Sequence, residues 1–232
     1  MNEESIQHFL ENDFGRIYGF VDPALPNFLL RMANNLDLSY GAGEIGCYHG
    51  KLFILLRHFC SPSAPSIAID LFEDQDRNID GSGGGDPSSH FHNNLGFFDP
   101  HKGQNIKIVQ GDSTSIETMR EITDKYSLFS VDGGHTFRHA YNDILIAERA
   151  TADGGLILVD DFMRPDWPEV TEAVYKYLSG NPRFVPLAIG WNKLFLCHFT
   201  RIDALLTLVA SAFPNGKKVE LNRFPVWTTR LF

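Results

Sequence analysis

A chain of 232 residues is long enough for one domain with a sizeable hydrophobic core. Hydrophobic residues make up 43% of the chain and charged residues 21%, which is typical of a folded globular protein and excludes the composition of a disordered one. The formal net charge of −9 argues against a general electrostatic attraction to nucleic acid or to an anionic membrane surface, while a local basic site stays compatible with it.

The cysteines and the N-terminus bear on the cellular setting. Cys47, Cys60 and Cys197 form no CxxC pair and leave an odd number, and the polar start "MNEESIQHF" lacks the pattern of a secretory leader. No apolar stretch reaches the roughly 18–20 residues of a membrane-spanning helix. The sequence therefore predicts a soluble, cytoplasmic protein without a membrane partner.

The first part of the chain, residues 1–40, is predicted to be a helical cap. Its stretch "ALPNFLLRMANNL" repeats apolar residues at helical spacing. A glycine-punctuated turn, "GAGEIGCYHG" (41–50), then leads into an apolar helix that ends near Phe59. The next strand, "SIAIDLF" (66–72), ends on Asp70, as a buried parallel strand of an α/β protein does.

Residues 73–103 differ in composition from the segments around them. They contain "DGSGGGDPSSHFHNN", in which glycine, serine and asparagine predominate. A polar stretch of this length is usually a functional loop or a disordered one. We therefore predict a mobile lid loop. His90 and His92 lie in it, and without further ligands nearby they are predicted not to bind a metal.

Strands and helices alternate through the rest of the chain. "NIKIVQGD", "YSLFSVDGG" and "GGLILVDDF" read as strands, and helical patterns of 10–15 residues lie between and after them. "RFVPLAIG" and "KLFLCHF" flank Gly190–Trp191–Asn192 and read as a hairpin, which is followed by a last helix and a tail (214–232). This alternation predicts a single α/β domain, 1–232, with a mostly parallel sheet and helices on both faces. The tail is predicted to pack on the domain or to form a subunit contact in a homo-oligomer.

Acidic residues end four of the predicted strands, at Asp70, Asp112, Asp132 and the pair Asp160–Asp161. Burying carboxylates costs free energy, so such a repeated placement needs a reason. Ligands of parallel α/β sheets bind outside the carboxyl ends of the strands, where the strand order reverses. The four strand ends therefore predict one ligand-binding crevice.

The turn "EIGCYHGK" is a Glu-x-Gly-x-x-x-Gly pattern at a junction between strand and helix. Gly46 would allow a tight turn, and Gly50 would let a ligand or a strand approach the backbone. The pattern is not the GxGxxG of dinucleotide-binding proteins. Asp70 follows Gly46 by 24 residues, at the place where an acid accepts hydrogen bonds from two ribose hydroxyls.

In this order the motifs resemble those of the class I S-adenosylmethionine-dependent methyltransferases over about residues 40–200. Glu44-Ile45-Gly46 with Gly50 looks like their first motif, and Asp70 like their ribose-binding acid. "VDGGHTFRHAYNDI" and "ADGGLILVDDF" look like the small-molecule, metal-assisted sugar O-methyltransferases. The resemblance implies a Rossmann-like, seven-stranded sheet with an antiparallel C-terminal hairpin. The cofactor-binding residues that follow are Glu44, Gly46, Gly50, Asp70, Leu71, Gly111, Asp112, Ser113 and Asp132.

The charge of the crevice agrees with this cofactor. A dinucleotide carries phosphates and needs cationic groups or helix N-termini, whereas S-adenosylmethionine carries a sulfonium, an ammonium and one carboxylate. The predicted crevice offers Glu44, Asp70, Asp112 and Asp132, with Lys51 as the only cation nearby in the sequence. Acidic walls favour the cationic ligand.

Asp132 and the pair Asp160–Asp161 end two strands of one strand–helix–strand unit and should be neighbours. Like charges at close range must be neutralised by a proton or a cation, and three hard oxygen donors suit Mg²⁺. The same three-carboxylate set, Asp132, Asp160 and Asp161, is implied by the resemblance to the sugar O-methyltransferases. The alternative is that Asp161 caps the turn while Asp132 holds the methionine end of the cofactor.

His135 follows Asp132 by three residues on a Gly–Gly turn and can point into the same crevice. A histidine can take a proton from a substrate hydroxyl at neutral pH, and Asp132 competes for this role; the other reading is a solvated histidine at a helix start. We predict methyl transfer to a small hydroxylated molecule, without a nucleic-acid partner. The alternatives are a nicotinamide-dependent oxidoreductase and a non-catalytic cofactor-binding protein.

Overall fold

The computed structural model describes residues 3–81 and 87–229. Its helices are α1 (Glu3–Asn12), α2 (Leu25–Ala33), α3 (Lys51–Phe59), α4 (Pro87–Phe98), α5 (Ile116–Arg120), α6 (Phe137–Ala150), α7 (Pro168–Leu178) and α8 (Ile202–Ala212). Its strands are β1 (Gly41–Ile45), β2 (Ser66–Asp70), β3 (Ile106–Gln110), β4 (Tyr126–Val131), β5 (Thr151–Asp160), β6 (Phe184–Gly190), β7 (Lys193–His198), β8 (Lys217–Leu221) and β9 (Phe224–Thr228). Short 3-10 turns occur at Phe14–Arg16, Gln75–Arg77 and Phe199–Arg201.

The strands form one sheet in the order β3-β2-β1-β4-β5-β7-β6-β9-β8. The five strands from β3 to β5 pair in parallel, and β7 is antiparallel to both of its neighbours, β5 and β6. The strand order reverses between β1 and β4, so the carboxyl ends of these two strands open a crevice. The α/β fold with a mostly parallel sheet and a C-terminal hairpin is confirmed.

Two apolar cores lie on opposite faces of the sheet, because neighbouring residues of a strand point to opposite sides. Leu156 and Leu158 of β5 join the core beneath α1, α2, α3, α4 and α8, whereas Ile157 and Val159 join the core beneath α6 and α7. Helices therefore cover both faces, which explains why the central strands are buried over their full length.

The sheet has nine strands in the described part of the chain, not the seven predicted. The two extra strands come from the tail, where β8 and β9 are joined by Asn222 and Arg223. Both of these residues have positive φ, 44° and 68°, which is the backbone of a tight two-residue hairpin turn. β9 pairs in parallel with β6 and so extends the sheet. Exposed lysines lie on both edge strands, Lys107 on β3 and Lys217 and Lys218 on β8.

The segment 73–103 is not one continuous loop, because helix α4 occupies much of it. Phe91 and Leu95, one helical turn apart, are buried, and Phe91 packs against Phe53 of α3 and against Phe72. Asp99, just after α4, accepts two hydrogen bonds from the buried Arg57 of α3, at 2.7 and 3.1 Å. Residues 82–86 of the predicted loop lie outside the described residues.

The glycines of β1 are there because neighbouring groups approach the strand closely. A Cβ on Gly41 would lie 2.0 Å from the carbonyl oxygen of Pro65, and a Cβ on Gly43 would lie 2.4 Å from the ring of Phe129. The strand is therefore short and glycine-rich and yet fully buried. Among the described residues no helix combines the length and the apolar character needed to cross a bilayer.

Candidate active site

A cavity of about 500 Å³ opens at the carboxyl ends of the parallel strands, beside the point where the strand order reverses. All but one of the residues predicted for the site line it: Glu44, Gly46, Asp70, Leu71, Gly111, Asp112, Ser113, Asp132, His135, Asp160 and Asp161. These residues, predicted from separate parts of the sequence, thus lie around one cavity. The exception is Gly50, which is absent from the lining among the described residues.

The two glycines of the loop after β1 have different tasks. Gly46 has a φ of 83°, and a Cβ there would lie 1.7 Å from the carbonyl oxygen of Asp132, so only glycine lets the ends of β1 and β4 meet. Gly50 has a φ of 82° and begins α3, and a Cβ there would lie 2.8 Å from the ring of Phe91. Gly50 thus lets α4 approach the start of α3 closely, and its predicted contact with the cofactor stays a prediction.

Asp70 at the end of β2 organises the same loop. One carboxylate oxygen accepts hydrogen bonds from the backbone N–H groups of Cys47 and Tyr48, at 2.7 and 2.8 Å, and the other accepts from Phe72 at 2.7 Å. A carboxylate has about four lone-pair positions, so acceptor capacity remains on the cavity side. The predicted contact with ribose hydroxyls is compatible with this arrangement and stays a prediction.

The turn after β3 forms another side of the cavity. The backbone N–H of Gly111 donates to the carbonyl of Asp70 at 2.9 Å, which ties the turn to β2. Burial raises the pKa of Asp112, but hydrogen bonds from Thr114 outweigh that effect and leave the pKa below its ordinary value. Ser113 is buried beside it, and its carbonyl accepts from Asn142 at 3.0 Å.

Lys193 is a buried cation that the sequence did not reveal. Its side chain is 2% exposed, and its Nζ lies 2.6 Å from an Asp160 carboxylate oxygen. The antiparallel register of β5 and β7 puts these two residues directly opposite each other. A lysine at the start of "KLFLCHF" gives no sequence signal of burial. Only the docking of the β6–β7 hairpin brings it into the crevice.

Asp160 is engaged with protein groups, and it also lies beside Asp132, so the three-carboxylate set Asp132, Asp160 and Asp161 stays a prediction. Its second oxygen accepts from the backbone N–H of Asp161 at 2.9 Å and from the side chain of Asn192 at 3.1 Å. The charge of Lys193 already neutralises it. Among the described residues, Asp132, His135 and Asp161 are a second group that could hold a cation, since their candidate ligand atoms all lie within 4.8 Å of one another.

Two further carboxyl groups share this buried environment. Burial raises the pKa of Glu44 from 4.5 to about 8, with Lys193 opposing the shift, and one Glu44 carboxylate oxygen has no hydrogen-bond partner among the described residues. Burial also raises the pKa of Asp132 well above its ordinary value, and the charge of Asp160 adds to the effect. Three acids thus surround the one ammonium group of Lys193.

His135 is held between two carboxylates. Its Nδ1 lies 2.9 Å from Asp80 and its Nε2 lies 3.0 Å from Asp161, and its backbone N–H also donates to Asp80 at 2.6 Å. Trp167, which lines the cavity, stacks on the imidazole with ring centroids 4.2 Å apart. Burial lowers the pKa of His135, but the hydrogen bonds to the two carboxylates outweigh it and raise the pKa above its ordinary value. Asp80 was missed because it borders a glycine-rich stretch without periodicity.

Comparison with known proteins supports the assignment of the fold. The O-methyltransferase of Bacillus cereus in complex with SAH is 13% identical with a TM-score of 0.56, over 84% of this chain and 90% of that one. TomG of Streptomyces achromogenes, an O-methyltransferase of tomaymycin synthesis in complex with SAM, is 13% identical with a TM-score of 0.54, over 84% and 89%. CalS11, a TDP-rhamnose 3'-O-methyltransferase of calicheamicin biosynthesis, is 16% identical with a TM-score of 0.52, over 84% and 93%.

At these identities the structural likeness establishes the fold. No curated protein matches the chain significantly. The family follows from the sequence, since the family model described as "Methyltransferase domain" matches residues 44–162, from the glutamate of the glycine loop to the residue after the aspartate pair. The chain therefore belongs to the methyltransferase domain family and has the fold of the class I S-adenosylmethionine-dependent methyltransferases.

Proposed function

We propose that this protein transfers a methyl group from S-adenosylmethionine to a hydroxyl oxygen of a small molecule. The observation that carries the proposal is the excess of buried acid in the cavity. Glu44, Asp132 and Asp160 face a single buried cation, Lys193. Burial favours the protonated forms of Glu44 and Asp132, and a ligand that brings positive charge would favour their ionised forms and be bound by them, so the cavity favours a cationic ligand. S-adenosylmethionine does so through its sulfonium and ammonium groups.

The cofactor would extend from the glycine loop across β2 to the turn after β3. Gly46 and Glu44 would contact its methionine part, Asp70 and Leu71 its ribose, and Gly111, Asp112 and Ser113 its adenine. Support comes from the position of these residues around one cavity and from the two structural neighbours whose descriptions include SAH or SAM.

Asp132 is the better candidate for the base that takes the acceptor proton. A base needs a free lone pair, and both ring nitrogens of His135 are already within hydrogen-bonding distance of carboxylates. Its raised pKa favours the imidazolium, which cannot accept a proton. The raised pKa of Asp132 also favours its protonated form, so Asp132 would accept a proton only once the positive charge of S-adenosylmethionine favours its ionised form, which would be more basic than an ordinary aspartate. His135 would then orient Asp161 and the turn around Asp132.

The reaction is a direct displacement at carbon. The acceptor O–H passes its proton to Asp132, and the oxygen attacks the methyl carbon. As the C–O bond forms, the C–S bond breaks, and the sulfur leaves as a neutral thioether with the electron pair. Much of the rate comes from holding the two reactants in line. Opposite charges cancel in the transition state, so exclusion of water by residues 73–103 would help; Asp80 of that segment contacts His135.

The residues also fit a divalent cation. Asp132, His135 and Asp161 would hold it, and a bound cation would supply a lower pKa of the acceptor hydroxyl. Two carboxylates with an imidazole suit Mn²⁺ at least as well as Mg²⁺, which prefers oxygen ligands alone. His135 cannot bind a metal and orient Asp161 at the same time, because the ring nitrogen that lies near Asp161 would be needed for both.

A binding experiment tests the cofactor. Isothermal titration calorimetry with S-adenosylmethionine, SAH, NAD⁺ and NADP⁺ should show binding of the first two alone. Transfer of a radiolabelled methyl group to a panel of hydroxylated molecules then tests the reaction. Asp132→Asn should lower kcat by at least about 100-fold, as loss of a general base does, while Asp203→Asn on the exposed start of α8 should match the unchanged enzyme. Binding of NAD⁺ in place of S-adenosylmethionine would refute the proposal.

A separate experiment tests the metal ligands. Mn²⁺ binding, followed by electron paramagnetic resonance without substrate, should weaken in His135→Ala and in Asp161→Asn but persist in Asp160→Asn. If Asp160→Asn abolished binding while His135→Ala did not, the three-carboxylate set predicted from sequence would be the metal site instead.

The proposal also includes a cytoplasmic location for the protein and a lid role for residues 73–103. The three cysteines are all free and buried, which suits the reducing cytoplasm that we propose. Gln75, Arg77, Asn78, Ile79 and Pro87 line the cavity, which supports closure of the segment over a bound cofactor. Hydrogen exchange in this segment should slow when S-adenosylmethionine binds, and unchanged exchange would contradict the lid role.

A further inference from the structure

We infer that the acceptor is an uncharged molecule whose ring lies face-on against an aromatic rim formed by Tyr18, Phe20, Tyr48 and His49. The inference rests on the proposed methyl transfer and narrows its substrate class. The shared chemistry is a flat or chair-shaped ring with a non-ionic hydroxyl group, which an aromatic diol and a free glycoside both offer. A nucleotide-linked sugar does not fit.

The aromatic rim is a continuous wall of rings at the cavity. Tyr48 stacks on His49 with centroids 3.9 Å apart and an interplanar angle of 8°, and Phe20 stacks on Tyr48 at 6.4 Å and 23°. Tyr18 joins the group at 5.6 Å from both Phe20 and His49. All four residues line the cavity. Such a wall offers π faces on which another ring can stack.

Two rings of the rim are left open to water. Phe20 is 82% exposed and Tyr18 is 59% exposed, and Ile79, which also lines the cavity, is 64% exposed. Exposure of neighbouring large apolar side chains at a cavity mouth marks a binding surface more often than chance exposure does. Covering them with a ligand would remove apolar area from water and so favour binding.

The aromatic rim is attached to the loop that is expected to hold the methionine part of the cofactor. A Cβ on Gly19, between the two exposed rings, would lie 3.0 Å from Cβ of Lys51, so the segment packs on the start of α3. The backbone N–H of Tyr48 donates to Asp70 at 2.8 Å. A ring on the aromatic rim would therefore lie beside the cofactor, within the same cavity as Asp132.

The charges of the lining argue against a phosphorylated acceptor. Among the described lining residues, three of the four lysines and arginines have acidic partners. Arg77 lies 3.5 Å from Asp74 and 3.9 Å from Asp112, Arg164 lies 3.3 Å from Asp161 and 3.4 Å from Asp166, and Lys193 lies 2.6 Å from Asp160. The fourth, Lys51, lies over the ring of Phe14 at 4.6 Å. A diphosphate binds through unpaired cations or helix N-termini. The sugar nucleotide named for CalS11 would meet acids beside nearly every cation here.

The experiment compares three acceptors on the 232-residue chain: catechol, methyl α-rhamnoside and TDP-rhamnose. Methyl transfer to at least one neutral probe should exceed transfer to TDP-rhamnose. Phe20→Ala should raise KM for that neutral probe about tenfold with kcat within about twofold, as the loss of roughly 1.4 kcal/mol of stacking and burial predicts. The affinity for S-adenosylmethionine should stay unchanged. Phe97→Ala, which removes an equally exposed ring of α4 outside the cavity lining, is the matched control.

Several results would overturn the inference. Preferred methylation of TDP-rhamnose would do so while leaving the proposed methyl transfer intact. So would an equal loss of cofactor affinity in Phe20→Ala, because the rim would then belong to the cofactor site. Failure of both neutral probes to bind the SAH-loaded protein in saturation-transfer NMR would also refute it. Absence of any binding of S-adenosylmethionine to the unchanged protein would instead refute the proposed function itself.

Discussion

Replacing Glu44 by glutamine should stabilise this protein at neutral and alkaline pH. Glu44 is 1% exposed, and one of its carboxylate oxygens lacks a hydrogen-bond partner among the described residues. Burial therefore makes its ionised form unfavourable, and Lys193 compensates only in part. Glutamine has nearly the same shape, but it cannot ionise.

The size and the sign of the effect follow from the pKa. Below pH 4.5 the carboxyl group is protonated in both the folded and the unfolded chain. As the pH rises from 4.5 towards 8, the unfolded chain releases the proton while the folded protein keeps it, so stability is lost over this window. At about 1.4 kcal/mol for each pH unit, the loss reaches at most about 5 kcal/mol. Glu44→Gln escapes this loss.

Urea denaturation at pH 5.0 and pH 8.0 measures the difference. Between these values the free energy of unfolding of Glu44→Gln should gain about 4 kcal/mol relative to the unchanged protein. Glu172→Gln, on the exposed side of α7, should show no such pH-dependent gain. A stability difference between Glu44→Gln and the unchanged protein that stays constant from pH 5.0 to 8.0 would refute the reasoning, because Glu44 would then be ionised in the fold.

Three other changes test the same site. The protein should release protons when S-adenosylmethionine binds, because the positive charge of the ligand lowers the raised pKa values of Glu44 and Asp132. Calorimetry in buffers of different ionisation enthalpy measures the number of protons released, and a value of zero would contradict the prediction. Lys193→Met should lower the free energy of unfolding, measured by urea denaturation, by about 3–5 kcal/mol, because it leaves Asp160 buried without its cation. Adding Asp160→Asn to this variant should restore part of the stability. If it restored none, the ion pair between Lys193 and Asp160 would not be the cause of the loss. Gly46→Ala should lower the free energy of unfolding by about 3 kcal/mol or prevent folding, because Gly46 has a positive φ and the added Cβ would meet the carbonyl of Asp132. Gly15→Ala is the control and should be nearly neutral, since no atom lies within 4 Å of its added Cβ. Equal melting temperatures of the two variants would contradict the close approach at Gly46.

The central part of the fold and one side of the site could be predicted from the sequence. Apolar runs that end on Asp70 and Asp132, separated by helical patterns, define parallel strands and the end where they bind ligands. The Gly190–Trp191–Asn192 hairpin was predicted as well, and Trp191 and Asn192 indeed have positive φ, 54° and 63°. These features are local, so a single chain contains them.

The rest depended on contacts between distant segments or on signals that were too weak. The pairing of Asp160 with Lys193 depends on how a hairpin docks on β5, which no local pattern states. Helix α4 is rich in serine, histidine and asparagine, and only its spacing of Phe91 and Leu95 indicated a buried face. The tail did carry a signal for a hairpin, since stretches with alternating apolar residues flank Asn222–Arg223. Neither of these two residues is the glycine that usually marks such a turn.

The lysines on the two outermost strands have a consequence for how this molecule meets its own copies. If the edge strand of one molecule paired with the edge strand of another, the lysine ammonium groups of β3 or β8 would lie close to one another and lose part of their hydration. The addition of a further strand is thereby disfavoured at both edges of the sheet, at β3 and at β8. Crowded molecules of this protein can remain separate although each exposes an unpaired strand at both edges of its sheet.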